Sequence, residues 1–227
     1  MLDAAAAVLG EAEVRHALRL TAQVALATLG LHLTAGLALG ALLARPGWPG
    51  RGALDALVTL PLVFPPIATG FALLLLFGRR GPVGGWLDAV GVEIVFSFWG
   101  VLFASFIAGL PLVVKPVQAA LESASARLAE AARTLGKNEV QIFFHVLLPN
   151  VRRALAAGLV LGLGRSLGEV GITLMLGGNV IGRTNTVSLE IYNAVSGGDF
   201  QRAAVLSALL GVLTLAMFWG LRRLGAV

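Results

Sequence analysis

The sequence contains no cysteine and few charged residues. The absence of cysteine from its 227 residues excludes a disulfide framework and a thiolate metal site. Aspartate, glutamate, lysine and arginine make up 13% of the chain, whereas soluble domains are about one quarter charged. No cluster of metal-ligating residues stands out either. The composition therefore indicates no metal, no cofactor and no soluble catalytic module.

A phosphate-binding loop of the form GxxxxGK[ST] is also absent. The nearest match surrounds Gly136 and Lys137. There, Ala131 stands in place of the leading glycine and Asn138 in place of the serine or threonine. The sequence therefore predicts that this chain is not an enzyme and that energy from ATP would have to come from a separate partner subunit.

Long apolar runs take the place of the missing charges. The chain is 57% hydrophobic, with a mean hydropathy of +0.87. About 20 residues with a rise of 1.5 Å each cross roughly 30 Å of hydrocarbon. Five windows qualify, at residues 20–44, 56–77, 94–114, 154–176 and 203–221. They predict an all-α polytopic membrane protein, a single transmembrane domain over residues 1–227 with about five spanning helices, six being possible.

The basic residues predict the orientation in the bilayer. Three acidic residues precede the first window, unlike the positive start of a signal peptide, so the first span is expected to remain in the mature protein. Five spans place the termini on opposite sides, and with the N-terminus outside, the basic residues split ten inside to six outside. The inner set is Arg45, Arg51, Lys115, Arg127, Arg133, Lys137, Arg152, Arg153, Arg222 and Arg223; the outer set is Arg15, Arg19, Arg79, Arg80, Arg183 and Arg202. We expect a cytoplasmic C-terminus and, despite a pI near 11.0, no nucleic-acid partner.

A charged, helix-prone island at residues 130–149 separates the third and fourth windows. Residues 121–135 predict a helix, and Gly136 suits the left-handed position just past its end. Asn138 can cap a second helix, which Pro149 is expected to close. The resulting helical hairpin either only links two spans at the membrane surface or holds a partner.

The spacing within this island resembles the EAA loop of ABC-importer permeases. The matching residues are Glu130, Ala131, Ala132, Gly136, Val146, Leu148 and Pro149, with Val146 where isoleucine is usual. The resemblance implies a type I ABC-importer permease bundle in a prokaryotic cytoplasmic (inner) membrane. It implies a cytoplasmic coupling loop at about residues 115–152, two ABC ATPase subunits bound to the loops, a second permease copy in a homodimer and an extracytoplasmic binding protein.

The fourth window carries two charges in an apolar run. Arg165 and Glu169 are four residues apart, on one helix face. Ionised groups at the bilayer centre cost about 2.5–3.5 kcal/mol each unless they are paired or hydrated. The pair therefore either lines a pathway or gate, for which Ser166 and Thr173 are further candidates, or is a structural ion pair. Ser166 also permits an intramembrane hydrolase, although His32 and His145 are not obvious partners.

Other features of the windows leave alternatives open. The small-residue pairs Gly158/Gly162 and Gly164/Gly168 allow close helix packing, within the subunit or at a dimer seam. Pro61, Pro65 and Pro66 interrupt the second window, as a functional break or as a tolerated kink.

The fourth window and the loop after it resemble molybdate permeases more narrowly. The matching stretches are RSLGEVGITLMLGGN at 165–179, GRTNT at 182–186 ahead of Tyr192, and LPLVFPPIATG at 60–70. Sulfate and tungstate permeases share much of this pattern. The resemblance implies import of a tetrahedral oxyanion, molybdate or tungstate first and sulfate or thiosulfate second. It also implies docking of the binding protein at Arg183, Thr184 and Tyr192. An anion carrier or channel without an ATPase is the alternative of a different class, but it leaves the loop at 130–149 without a role.

Overall fold

The computed structural model describes residues 2–223, apart from the side chains of residues 2–5, 124–127, 129 and 221–223. This part of the chain is about 80% helical and contains no β-strand, which confirms the all-α prediction. The helices are α1 Leu2–Gly10, α2 Ala12–Leu31, α3 Leu37–Ala44, α4 Arg51–Val63, α5 Pro66–Phe77, α6 Gly84–Ala89, α7 Phe98–Thr134, α8 Glu139–Ile142, α9 Leu148–Leu167, α10 Gly171–Leu176, α11 Val187–Ser196 and α12 Phe200–Arg223. π-Helical turns at His32–Gly36 and Phe143–Leu147 join α2 to α3 and α8 to α9.

Four helical segments within the described residues are long and apolar enough to cross a membrane. They are Ala12–Ala44, Phe98–Ser123, Glu139–Leu167 and Phe200–Gly220. The remaining predicted window, 56–77, holds two shorter helices, because the chain is extended at Phe64 and Pro65. Pro65 and Pro66 have no N–H, so a helix cannot continue its hydrogen bonds through them. The proline-rich window therefore contains a full break rather than a kink.

α7 lies at the centre of the bundle. We call the end of the bundle at Gly136 the loop end, and the end at which α7 begins the opposite end. Leu20 and Val24 of α2 pack against the start of α7, and Gly40 of α3 contacts Val117 farther along it. α2–α3 therefore runs parallel to α7. α9 runs antiparallel, since its start contacts the Val113–Leu121 part of α7.

Two predicted helix boundaries at the loop end are wrong. The helix expected over 121–135 is the last part of α7, which continues through Pro111 and Pro116. Pro149 does not close the second helix but lies in the first turn of α9, where the missing N–H is tolerated. The π-helical turn before it explains the difference, since the Leu148 N–H donates to the Phe143 carbonyl, five residues back. Asn150 Nδ2 donates a hydrogen bond to the Val146 carbonyl at 2.6 Å.

Glycines bring α7 and α9 into close contact. A Cβ atom on Gly109 would lie 2.3 Å from the Gly162 carbonyl oxygen. One on Gly158 would lie 3.0 Å from the Leu112 carbonyl oxygen. The Gly158/Gly162 pair therefore serves packing within the subunit. Gly164 faces α12 instead, where Thr214 Cγ2 is 3.9 Å from such a Cβ.

We predict that Gly109→Ala destabilises the bundle by at least about 1–3 kcal/mol, because the added methyl overlaps the backbone of α9. Gly30→Ala is the matched control, since a Cβ there meets no atom within 4 Å. The control is expected to be neutral or to stabilise α2 by up to about 1 kcal/mol. Thermal unfolding midpoints of the detergent-purified variants measure both effects. Equal midpoints for the two variants would contradict the packing described here.

Candidate functional site

The turn between α7 and α8 has the left-handed glycine that the sequence predicts. Gly136 adopts φ +77°, the left-handed conformation that glycine enters without steric cost. Its N–H donates to the Arg133 carbonyl at 2.9 Å, and the Lys137 N–H donates to the Ala132 carbonyl at 3.1 Å. These two bonds form a Schellman motif, which satisfies carbonyls left free at the end of α7. The predicted role of Gly136 as the C-terminal stop is confirmed.

The start of α8 is fixed just as closely. The Asn138 side chain accepts the Gln141 N–H at 2.8 Å, and the Gln141 side chain accepts the Asn138 N–H at 3.2 Å. This reciprocal pair is a capping box. Arg133 spans the turn to Glu139 with two hydrogen bonds, at 2.7 and 3.3 Å. The two helices are therefore held at a defined angle.

The two faces of the hairpin differ in character. Ala132 is buried against Ile142, with Val146 and Leu147 packed around them, so its small side chain permits the close approach of α8. Leu148 packs beside the α7–α9 core, whereas Pro149 is exposed. Glu130 and Ala131 are exposed, and Glu130 lines a groove of about 560 Å³ with Arg45, Arg51 and Glu139 among its walls.

An apolar patch lies at the tip of the hairpin. It consists of Leu135, Val140 and Phe144, and we call it the tip patch. Leu135 is 80% exposed, and the other two side chains are exposed by more than half. Exposed apolar side chains on a rigid hairpin are typical of a surface that binds another protein. The arrangement favours the partner-binding alternative over a simple link.

Arg165 and Glu169 form an ion pair at the end of α9. Arg165 Nη1 lies 2.5 Å from Glu169 Oε2, with the two side chains 32% and 1% exposed. The second carboxylate oxygen of Glu169 accepts the Ile172 N–H at 2.7 Å. The helix is interrupted between Leu167 and Gly171, and Glu169 lies in this interruption. Glu169 therefore neutralises the charge of Arg165. It also accepts a hydrogen bond from a backbone N–H at the start of α10 that has no partner within the helix.

The two helix breaks lie side by side. A Cβ on Gly171 would be 3.0 Å from the Ile67 backbone nitrogen, and one on Gly70 would be 2.9 Å from Ile172 Cα. None of the described residues covers the break between α4 and α5, since Val63 is 80% exposed and Phe64 and Ile67 are exposed. Non-helical backbone at membrane depth is tolerated only where protein covers it or water reaches it.

Ser166 is a buried hydrogen-bond donor. Its hydroxyl lies 2.5 Å from the Ser105 carbonyl and 2.8 Å from the Gly162 carbonyl. His32 is nearby, since a Cβ on Gly109 would meet both His32 Cε1 and Ser166 Oγ. However, His32 Nε2 bonds to the Phe106 carbonyl at 2.9 Å. The serine–histidine hydrogen bond that an activated nucleophile requires is not among the described contacts, so the geometry does not favour the hydrolase alternative.

A small polar cavity lies beside the second break. Its polar lining comes from five helices or their ends, and consists of Thr21, Thr28, Ser105, Ser166, Glu169, Thr173 and Thr186. Thr28 and Thr173 are fully buried, and their hydroxyls have no hydrogen-bond partner among the described residues. The cavity volume of about 10 Å³ leaves room for about one water molecule. Ser166, Glu169 and Thr173 were predicted from the sequence, but Thr21 and Thr28 were not, although their seven-residue spacing on one helix face was an available signal.

The predicted docking residues occupy different environments at the opposite end. Arg183 is exposed and lines a groove of about 440 Å³ with Arg79, Asp88 and Glu93. Tyr192 is 46% exposed on α11. Thr184 is instead fully buried, and its hydroxyl accepts the Val180 N–H at 2.9 Å. Thr184 therefore fixes the loop fold and offers no surface in this conformation.

Two further polar groups at this end were missed by the sequence analysis. The side-chain amides of Asn179, Asn185 and Asn193 bond to one another at 2.6–3.2 Å. Arg202 lies 2.8 Å from Glu190 and 3.0 Å from Glu11. Burial raises the pKa of the Glu190 carboxyl, and Arg202 opposes that shift. These contacts tie the start of α2 to α11 and α12 across about 190 residues of sequence, so local sequence patterns could not reveal them.

Comparison with known proteins places this architecture in a family. Residues 36–225 match the family model described as "Binding-protein-dependent transport system inner membrane component". The molybdenum transport system permease protein ModB of Azotobacter vinelandii is 36% identical over 92% of this chain and 95% of its own. The chloroplastic sulfate permease 2 of Chlamydomonas reinhardtii is 37% identical over 90% of this chain, which spans 55% of that longer protein.

A solved structure shares the fold. A bacterial alginate ABC transporter, crystallised with an alginate pentasaccharide-bound periplasmic protein, superimposes with a TM-score of 0.72 over 96% of this chain and 80% of its own. The sequence identity is 19%. At this identity the likeness supports the helix arrangement and nothing narrower.

We predict that Arg165→Gln destabilises the protein more than Glu169→Gln, because it leaves unpaired a carboxylate that is 1% exposed, whereas the Arg165 side chain is 32% exposed. Removing one partner of a buried pair typically costs about 3–5 kcal/mol, and the partial exposure of Arg165 reduces this to roughly 1–3 kcal/mol. The double variant Arg165→Gln/Glu169→Gln should recover part of the loss. Thermal unfolding of all four proteins, analysed as a double-mutant cycle, measures the coupling. Strictly additive effects of the two substitutions would show that the ion pair does not contribute to the stability of the protein.

Proposed function

The chain belongs to the family of binding-protein-dependent transport system inner membrane components, and we propose that it imports a tetrahedral oxyanion as the permease subunit of an ATP-driven transporter. Molybdate or tungstate is the first candidate, and sulfate or thiosulfate the second. The observation that carries this proposal is the rigid hairpin with its exposed tip patch, Leu135, Val140 and Phe144.

The hairpin is the proposed contact with the ATPase. The chain has no phosphate loop, so hydrolysis belongs to a partner, and the tip patch suits insertion into a groove of that partner. The Schellman motif and the capping box resist bending of the turn. A displacement at the tip is therefore passed to α7 and α9. Two permeases and two ATPases complete the proposed assembly.

The two helix breaks mark the proposed pathway. The uncovered backbone between α4 and α5 requires protein or water beside it, and a second copy of the chain supplies both in a homodimer with a central pathway. Arg165, Ser166, Glu169 and Thr173 surround the adjacent break. In the proposed alternating-access cycle, ATP-driven closure of the ATPases moves the hairpins, and the spans repack at these breaks.

The opposite end is the proposed entrance. The ten-to-six split of basic residues favours a cytoplasmic loop end, which puts the N-terminus outside and the C-terminus in the cytoplasm. Arg183 and Tyr192 are exposed at the entrance, where an extracytoplasmic binding protein would dock. Thr184 supports this surface from within.

The charges in the pathway favour weak anion binding by the permease itself. Glu169 neutralises Arg165, so the pair presents no net positive charge to an oxyanion. Selectivity is then assigned to the binding protein. The relatives support a tetrahedral dianion without choosing one, since they include both a molybdenum and a sulfate permease.

Uptake into proteoliposomes tests the proposal. The permease is reconstituted with the ATPase and binding protein encoded beside it, and labelled molybdate and sulfate are supplied in turn. ATP-dependent uptake of either oxyanion is the expected result. Equal uptake without the ATPase would establish a carrier or channel instead. Competition between the two anions, together with their affinities for the binding protein, identifies the cargo.

We predict that Gly136→Val lowers ATP-dependent uptake at least tenfold. A β-branched residue at this φ strains the turn by roughly 1–2 kcal/mol and turns the tip patch away from the ATPase. Gly47→Val is the matched control, since Gly47 also has a positive φ, at +80°, and open space around it at the same end of the bundle. Uptake and co-purification of the ATPase are measured for both variants. Comparable losses in the two would refute a specific role for the hairpin.

A further inference from the structure

The break after α9 is held by a residue from the first turn of α11. α9 ends at Leu167, so the Leu167 carbonyl has no helical partner four residues on. The hydroxyl of Ser188, in the first turn of α11, donates to this carbonyl. Ser188 is buried, and an unpaired carbonyl in its place would cost the full desolvation penalty of that group.

A second bond fastens α11 to the first spanning segment. The Val187 N–H is one of the free donors at the start of α11, and it donates to the Thr21 hydroxyl at 3.0 Å. Thr21 also lines the polar cavity beside the break. The start of α11 is thus tied to two separate parts of the bundle, α2 and the end of α9.

The rest of α11 belongs to the proposed docking surface. Tyr192 is exposed on it, and Asn193 bonds to Asn179 in the loop that follows α10. α11 has ten residues, about 15 Å of rigid helix at 1.5 Å per residue. A force on its exposed face therefore moves Ser188 as well, because a short helix shifts as a unit.

We infer that Ser188 is a positioning residue that transmits docking at α11 to the break at Gly168–Val170. This inference rests on the proposed function, since it assumes a binding protein on α11. A shift of α11 either moves the Leu167 carbonyl with it or breaks the hydrogen bond that Ser188 donates to that carbonyl. The neighbouring cavity contains two unpartnered hydroxyls, Thr28 and Thr173, and room for about one water molecule. Those groups give a displaced backbone new hydrogen-bond partners, which lowers the cost of opening the break.

The test compares basal and stimulated ATP hydrolysis. The complete complex of permease, ATPase and liganded binding protein is assembled in nanodiscs. We expect Ser188→Ala to leave basal hydrolysis within about twofold of wild type. Its stimulation by the binding protein should fall about three- to tenfold, as expected for the loss of one buried hydrogen bond. Ser188→Thr keeps the hydroxyl and should retain stimulation. Ser207→Ala, an exposed serine on α12, is the matched control and should behave as wild type.

A second variant tests whether a folding defect, rather than the lost connection, explains the result. Thr21→Val keeps the side-chain shape but removes the acceptor for the Val187 N–H, so stimulation should again fall while basal hydrolysis persists. Unchanged stimulation in both Ser188→Ala and Thr21→Val would overturn the inference. A proportional fall in basal and stimulated rates would also overturn it, because it would show a purely structural role. Absence of stimulation in the wild-type complex would instead overturn the proposed function, and this inference with it.

Discussion

The need to pair backbone groups freed inside apolar segments governs this structure. Two of the five predicted windows contain helix breaks, and each break leaves carbonyls and amides without helical partners. At the break in the fourth window, Glu169 accepts a hydrogen bond from the Ile172 N–H, and Ser188 donates one to the Leu167 carbonyl. At the break in the second window, the part of the chain that the structure describes leaves one side exposed. The pairing requirement thus explains a buried carboxylate, a buried serine and the need for something beside α4 and α5.

The same two breaks are connected mechanically to the hairpin. α7 has 37 residues without interruption, about 55 Å at 1.5 Å per residue, and ends directly in the turn at Gly136. α9 leaves the other side of the hairpin and ends at the second break. Gly109, Gly158 and Gly162 hold α7 and α9 in close contact, so the two helices have little freedom to move independently. Movement of the hairpin is expected to reach the breaks for that reason.

The sequence predicts features that depend on local chemistry. Apolar run length identifies four of the spans, and the residues at Gly136 and Asn138 identify the turn, because caps and left-handed positions are set by a few neighbouring residues. Pro149 was misjudged because a π-helical turn just before it provides an alternative that a proline rule does not include. Ser188 and Arg202 act on partners far away in the chain. No periodicity within either segment encodes such partners.

The pairing of Arg165 with Glu169 also bears on the choice of cargo. A pathway selecting strongly among dianions would need fixed positive charge or aligned donors, but the guanidinium beside the second break is neutralised by Glu169, just past the end of α9. Molybdate and sulfate share their charge and tetrahedral shape, and a weakly binding pathway has little basis to separate them. Relatives named for molybdenum and for sulfate match this chain at 36% and 37% identity. Such similarity is expected if discrimination between the two anions lies in a binding protein rather than in the permease.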